Sequence, residues 1–206
     1  MKVEEFITSP ASIKLIERTR EFAKSFFDRE GTHGFSHVER VFNLCLHIGR
    51  EEGADLEVLA LAALLHDIAR PLEDSGKVED HALESARIAR RYLRSMGYPG
   101  EKVASVAHAI EAHRFSRGPE PETLEAKILS DADKLDAIGA VGVARVFMYS
   151  GEHGRSIEDS LRHFDEKILK LRDLMYTETA KRLAEKRHAF TVQFIERIRR
   201  EIEGEL

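Results

Sequence analysis

The chain has 206 residues, with 32 Lys and Arg against 37 Asp and Glu, a formal net charge of −5. That length suits one domain with a substantial core, and the acidic balance argues against gripping nucleic acid through phosphate neutralisation. The lone Cys45 excludes a disulfide framework and any Cys-rich zinc or iron–sulfur site.

The N-terminal stretch carries Glu4 and Glu5 where a signal peptide would be apolar. The longest apolar run, Val58 to Leu65, is eight residues, far short of a membrane span. With one thiol and no such segments, a soluble cytoplasmic protein is expected, with no membrane partner.

The elements in chain order are helical. Ser9 caps a first helix, with Pro10 at its first position, running to about Phe27. After Gly31-Thr32-His33-Gly34, the run Ser36 to Glu39 has the form of a capping box and places His37 in the first turn of a second helix, which ends near Gly53. Asp55 caps a third, Leu56 to about Ala69, apolar nearly all round and ended by Pro71; it is the expected central helix. Asp80 caps the next, which stops at Gly97, and another covers about Glu101 to His113. Leu124 to about Val146 reads as one helix. Ile157, Leu161, Phe164, Ile168, Leu171 and Met175, at steps of 4 and 3, read as another. The last spans Glu178 to about Ile202, with Leu183, Phe190, Phe194 and Ile198 inward. The fold class is all-α, with one domain over residues 1–206.

Histidine is the unusual residue, with ten copies. The central helix ends Leu64-Leu65-His66-Asp67-Ile68. Burying an imidazole and a carboxylate among Ala and Leu costs a few kcal/mol or more unless something engages them. Adjacent helical positions differ by about 100°, so both can flank one point off the helix, and a divalent cation there explains both burials. His37 is placed to contribute. So is the stretch Ser130-Asp131-Ala132-Asp133-Lys134-Leu135-Asp136-Ala137-Ile138-Gly139. On it Asp133 lies beside Ala132 on the packed side, Asp131 points away, and Asp136 follows one turn on.

The order His37, His66-Asp67, Asp133 resembles the HD superfamily of metal-dependent phosphohydrolases. The Ser130 to Gly139 stretch, with His163-Phe164-Asp165-Glu166-Lys167 and Thr179 to Ala184, is similar to a bacterial and archaeal branch that includes nucleotide pyrophosphohydrolases. The resemblance covers roughly residues 20–200. It implies an HD-domain helical bundle with a metal-binding core at about 30–146, completed by C-terminal helices at about 157–203. It also implies one divalent cation held by His37, His66, Asp67 and Asp133. Donors of nitrogen and oxygen alone suit Mn²⁺, Mg²⁺, Fe²⁺, Ni²⁺, Co²⁺ or Zn²⁺ without choosing among them. The implied reaction is hydrolysis of a phosphoester or phosphoanhydride, in a small phosphorylated substrate of nucleotide type, by a metal-activated water.

In the same framework Asp67 and Lys134 carry the catalytic expectation. His81 and His113, with Asp136, either hold a second ion bridged by Asp67 or stand behind the ligands of the first. Lys134, Arg145, His163 and Lys167 are the candidates for phosphate contact. Arg70, Glu73 and Asp74 follow the His66-Asp67 pair at the site mouth; Glu73 or Asp74 is a candidate proton acceptor, but all three read more simply as solvated loop charges. His33 is a possible pocket residue; His47, His108, His153 and His188 read as structural or surface residues. The Lys and Arg of the last helix alternate with Glu and read as a solvated face. Two other classes share the pattern: a di-iron oxygenase, which needs two metals, and a non-catalytic metal or nucleotide sensor.

Overall fold

The structure is a computed structural model that describes residues 2–28, 31–32, 34–114 and 118–205. His33 and the middle of the loop that follows His113 lie outside the described residues. Among the described residues the secondary structure is helical throughout, in agreement with the all-α expectation, and no helix is long and apolar enough to cross a membrane. By backbone contact the chain divides into two compact units, Met1–Ala132 and Asp133–Leu206.

The first unit holds α1 (Pro10–Lys24), α2 (Phe35–Glu52), α3 (Leu56–Leu65), α4 (Arg70–Asp74), α5 (His81–Ser95), α6 (Gly100–Ala112) and most of α7 (Leu124–Asp136). Helix α3 is its axis: every residue from Val58 to Leu65 is buried, and α1, α2 and α6 pack around it. Its start is set by Asp55, whose carboxylate accepts from the backbone N–H groups of Glu57 and Val58. Asp80 does the same for α5, accepting from Ala82 and Leu83. Cys45 is buried in the core, as its place beside Phe42 and Ile48 predicts.

Two expectations in this unit need correction. The capping box at Ser36 does not form: Gly34 occupies the N-cap of α2 and Ser36 already lies inside the helix. His37 still falls in the first turn. Helix α3 also stops at Leu65, four residues before the expected Ala69, and Pro71 opens α4 instead of ending α3. Proline suits the first turn of a helix because its missing N–H has no intrahelical acceptor there. The turn between them is closed by the Arg70 N–H donating to the Asp67 carbonyl at 2.9 Å, and by the Ala69 N–H donating to the Ser85 hydroxyl at 3.0 Å.

The second unit holds the end of α7, then α8 (Gly139–Glu152), α9 (Ile157–Glu166), a 3-10 helix at Ile168–Leu174 and α10 (Glu178–Ile202). The single helix expected over 124–146 is two, broken at Ala137 and Ile138, because Gly139 adopts φ +78°, outside the helical region. The periodic run from Ile157 to Met175 likewise breaks at Lys167, whose φ −131° and ψ −57° end α9. The apolar spacing continues through the tighter 3-10 turns, so the pattern alone did not reveal the change. Helix α10 has the predicted bounds but a different inward face: Thr191 and Ile195 are buried, whereas Phe190 is 45% exposed. Arg187, expected on the solvated face, turns in and donates to the Leu135 carbonyl at 2.5 Å; burial pulls its pKa down.

Gly142 gives this unit a sharp test. A Cβ there would sit 2.3 Å from the carbonyl carbon and oxygen of Ala137, both backbone atoms. A glycine-to-alanine change inside a helix normally adds roughly 1 kcal/mol of stability. Gly142→Ala should do the opposite and cost about 1–3 kcal/mol through overpacking. Thermal denaturation checks the sign: a lowered melting temperature is expected, and an unchanged or raised one contradicts the close approach.

Candidate metal centre

Four helix ends in the first unit converge on one carboxylate. His37 is the third residue of α2 and His81 the first of α5; His66 and His113 are the C-cap residues of α3 and α6. All four rings surround Asp67, the residue after the α3 C-cap. His37 Nε2 and His66 Nε2 lie 3.7 and 3.8 Å from Asp67 Oδ2. His81 Nε2 and His113 Nε2 lie 3.0 and 3.7 Å from Oδ1. Neighbouring rings are edge-on or tilted, with centroids 5.1 Å apart for His66 and His113, and 5.4 Å for His81 and His113 and for His37 and His66. None of the five side chains belongs to a residue more than 4% exposed.

The helix ends explain two of the ring orientations. The last carbonyls of an α-helix lack intrahelical donors. His66 Nδ1–H donates back to the Ala63 carbonyl at 2.7 Å, and His113 Nδ1–H donates to the Ile110 carbonyl at 2.6 Å. A carbonyl only accepts, so each Nδ1 carries a proton and each Nε2 is turned toward Asp67; in the neutral ring that nitrogen presents a lone pair. That is the tautomer a metal ligand needs. His81 is held differently. Its Nδ1 lies 2.5 Å from Glu73 Oε2, and Glu73 Oε1 accepts from Arg114 at 3.0 Å.

The electrostatics follow from this crowding. Burial pushes the Asp67 carboxyl up, but His66, His81 and His37 outweigh it and hold the group well below the usual carboxylate range. Burial pulls His81 down, yet Asp67 and Glu73, one at each ring nitrogen, outweigh it and raise its pKa. The donor set fits a divalent cation. Ligand atoms of His66, Asp67 and His113 all lie within 4.8 Å of one another. The 3.7–3.8 Å separations around Asp67 are too long for hydrogen bonds. Separations of this size leave room for an ion between the ring nitrogens and the carboxylate.

The sequence-predicted residues His37, His66, Asp67, His81 and His113 are thus brought together. Asp133 and the other candidates sit on the second unit's side of the boundary at Ala132. Asp131, expected to point away from the packed side, is fully buried. Helix α7 is enclosed on several faces here: Ile128, Leu129, Ser130, Asp131 and Ala132 are all buried. Lys134 is 3% exposed, with Nζ 4.7 Å above the Tyr176 ring. Asp136 is buried and paired with Arg145 at 2.9 Å, so the Arg145 charge is already engaged. His163 is half-buried and Lys167 exposed; burial, Lys167 and Arg155 lower the His163 pKa. His108 is half-buried, its Nε2 accepting from the Glu122 backbone N–H. Arg114, and the pairing of Glu73 with His81, are what the sequence does not reveal. Glu73, expected as a solvated charge, is engaged with His81, Arg114 and Arg70. No spacing rule links a short helix to a ring eight positions on.

Known proteins resemble the chain over most of its length. The HD domain profile matches residues 34–138, half of the chain, and the chain belongs to the HD domain family. It is 37% identical over 201 residues to YpgQ of Bacillus subtilis, covering 93% of this chain and 96% of that protein. The crystal structure of YpgQ in complex with ADP matches with a TM-score of 0.77 and 35% identity, over 92% of this chain and 98% of that one. A predicted HD superfamily hydrolase from an uncultured Thermotogales bacterium matches with a TM-score of 0.68 and 37% identity, over 91% of each chain. Ribonuclease Y of Chloroflexus aurantiacus is 34% identical over 126 residues, which cover 61% of this chain but 22% of the ribonuclease.

If the cluster takes a cation, binding stabilises the fold by mass action. At a hundredfold excess over the dissociation constant the gain is about 2.7 kcal/mol, or roughly 5–10 °C in melting temperature. Thermal scans with Mn²⁺ should show such a shift in wild type and none in Asp67→Ala. Equal shifts in both proteins would place the ion elsewhere.

Proposed function

We propose that the chain is a metal-dependent phosphohydrolase acting on a phosphoester or phosphoanhydride of a nucleotide. The observation that carries this reading is Asp67, a buried carboxylate ringed by four imidazoles, two of them fixed through Nδ1–H with Nε2 turned toward it. The likeness to YpgQ, which has been crystallised in complex with ADP, supports a nucleotide, and the likeness to a predicted HD superfamily hydrolase supports hydrolysis. The buried Cys45 thiol fits a reducing, cytoplasmic setting.

His37, His66 and Asp67 are the proposed ligands in the first unit, with Asp133 completing the set. Support for Asp133 comes from its own helix. The Ser130 hydroxyl donates to the His113 carbonyl at 3.0 Å, so that face of α7 meets the end of α6. Asp133 follows Ser130 at i+3, on the same face. When bound, the cation supplies Lewis acidity toward a phosphoryl oxygen and lowers the pKa of water toward neutrality. The chain's part is to hold unprotonated imidazole nitrogens and an ionised carboxylate in a dry, rigid ring. Lys134, buried against Tyr176, supplies a fixed positive charge beside Asp133 in sequence for the charge that develops on the phosphoryl group. His163 and Lys167 remain candidates for distal phosphates, whereas Arg145 is first a partner of Asp136.

One observation favours a second reading of the metal count. The oxygens of Asp67 divide the rings: Oδ2 faces His37 and His66, and Oδ1 faces His81 and His113. A carboxylate so placed can bridge two ions, which would admit di-iron oxygen chemistry. Metal analysis after dialysis separates the two: one ion per chain removes the oxygenase reading.

The functional test is release of phosphate or pyrophosphate from a panel of nucleoside di- and triphosphates and simple phosphoesters with Mn²⁺, Mg²⁺, Co²⁺ or Ni²⁺. Wild type should turn over at least one nucleotide, with kcat/KM falling at least roughly a hundredfold in Asp67→Ala. Full turnover by metal-depleted Asp67→Ala contradicts the mechanism. Tight nucleotide binding without turnover across the panel would instead make the protein a sensor.

A further inference from the structure

We infer that Glu73 is a positioning residue of the metal centre: its carboxylate fixes the His81 ring and, through it, the orientation of Asp67. The inference rests on the metal-centre reading above. It starts from a difference among the rings. His66 and His113 sit at helix C-termini, where a carbonyl three residues back accepts their Nδ1–H. His81 is the first residue of α5, and a helix N-terminus offers N–H groups but no acceptor. Its Nδ1–H must therefore find a partner from outside the helix. Glu73 Oε2, from α4, supplies it at 2.5 Å.

Glu73 is in turn held on its other side. Arg114 donates to Oε1 at 3.0 Å and lies 3.5 Å from Asp80, the residue that caps α5 immediately before His81. Arg70 Nη1 lies 3.7 Å from Oε2. One carboxylate thus ties α4 to the start of α5 and to the residue following His113. The result at the site is directional. His81 Nε2 stands 3.0 Å from Asp67 Oδ1, which leaves Oδ2 toward His37 and His66. Without Glu73 the ring loses the acceptor that sets its flip state, and Asp67 loses the contact that fixes its rotation about the carboxylate axis.

The test is a double-substitution cycle read by calorimetric titration of the whole protein with Mn²⁺, with circular dichroism melts as the folding control. Partners behind metal ligands typically change affinity by about 10–100-fold. Glu73→Ala should weaken Mn²⁺ binding by that factor in wild type and by less than about twofold in a His81→Ala background, because Glu73 acts through His81. An equal loss in both backgrounds, or no loss in wild type, overturns the inference. If Glu73→Ala does not fold, Glu73→Met, which keeps the side-chain length but offers no oxygen acceptor, goes through the same cycle with the same criteria. A second readout needs no metal: the His81 Nδ1–H proton, resolved by ¹H–¹⁵N NMR of the metal-free protein, should be protected in wild type and lost in Glu73→Ala. Its persistence in the variant also overturns the inference. Wild type that binds no Mn²⁺ sinks the metal-centre reading, whereas wild type that binds while Glu73→Ala binds equally sinks only the role of Glu73.

Discussion

A carboxylate buried to within a few per cent of full enclosure is the constraint on which the first unit depends. An ionised Asp67 in an apolar core would cost several kcal/mol without compensation. Compensation here comes from imidazoles, none of which carries a permanent charge. Among them His81 alone comes within hydrogen-bond reach of the carboxylate, at 3.0 Å, whereas the Nε2 atoms of His37, His66 and His113 stand 3.7–3.8 Å away. Imidazoles with lone pairs turned inward are suited to share a cation with it.

Building that ring required helix ends more than helix faces. Helices α2 and α5 present their N-termini through His37 and His81, and α3 and α6 their C-termini through His66 and His113. Partial positive charge at the first pair favours the Asp67 carboxylate, and partial negative charge at the second favours a cation near His66 and His113. The same placement sets the hydrogen bonding of the rings: C-terminal histidines are oriented by their own helices, and the N-terminal His81 by Glu73. The apolar α3 gives the assembly rigidity, since its packed residues end one position before His66.

The central pair was legible because polar residues on an otherwise apolar helix contradict their surroundings, and His66 and Asp67 do so side by side. His81 and His113 were legible as candidates around Asp67, either for a second ion or behind the ligands of the first. Glu73 was legible at the site mouth, but its contact with His81 was not. Its role depends on how α4 meets α5, which no local pattern encodes. Asp131 was misread for a related reason: a one-sided helix model exposes it, but α7 is buried on several faces. The helix breaks at Gly139 and Lys167 escaped the periodicity argument because apolar spacing persists through both. Ser36 shows the converse, a motif present in sequence that loses to a glycine two positions earlier.

The central claim is that a divalent cation sits against Asp67 among these imidazoles. Anomalous X-ray diffraction from crystals grown or soaked with Mn²⁺ tests it most directly. The account predicts a Mn²⁺ peak about 2.0–2.3 Å from an Asp67 carboxylate oxygen and His66 Nε2, as expected for nitrogen and oxygen ligation. Fully occupied Mn²⁺ bound elsewhere on the chain, with no peak beside Asp67, would contradict it.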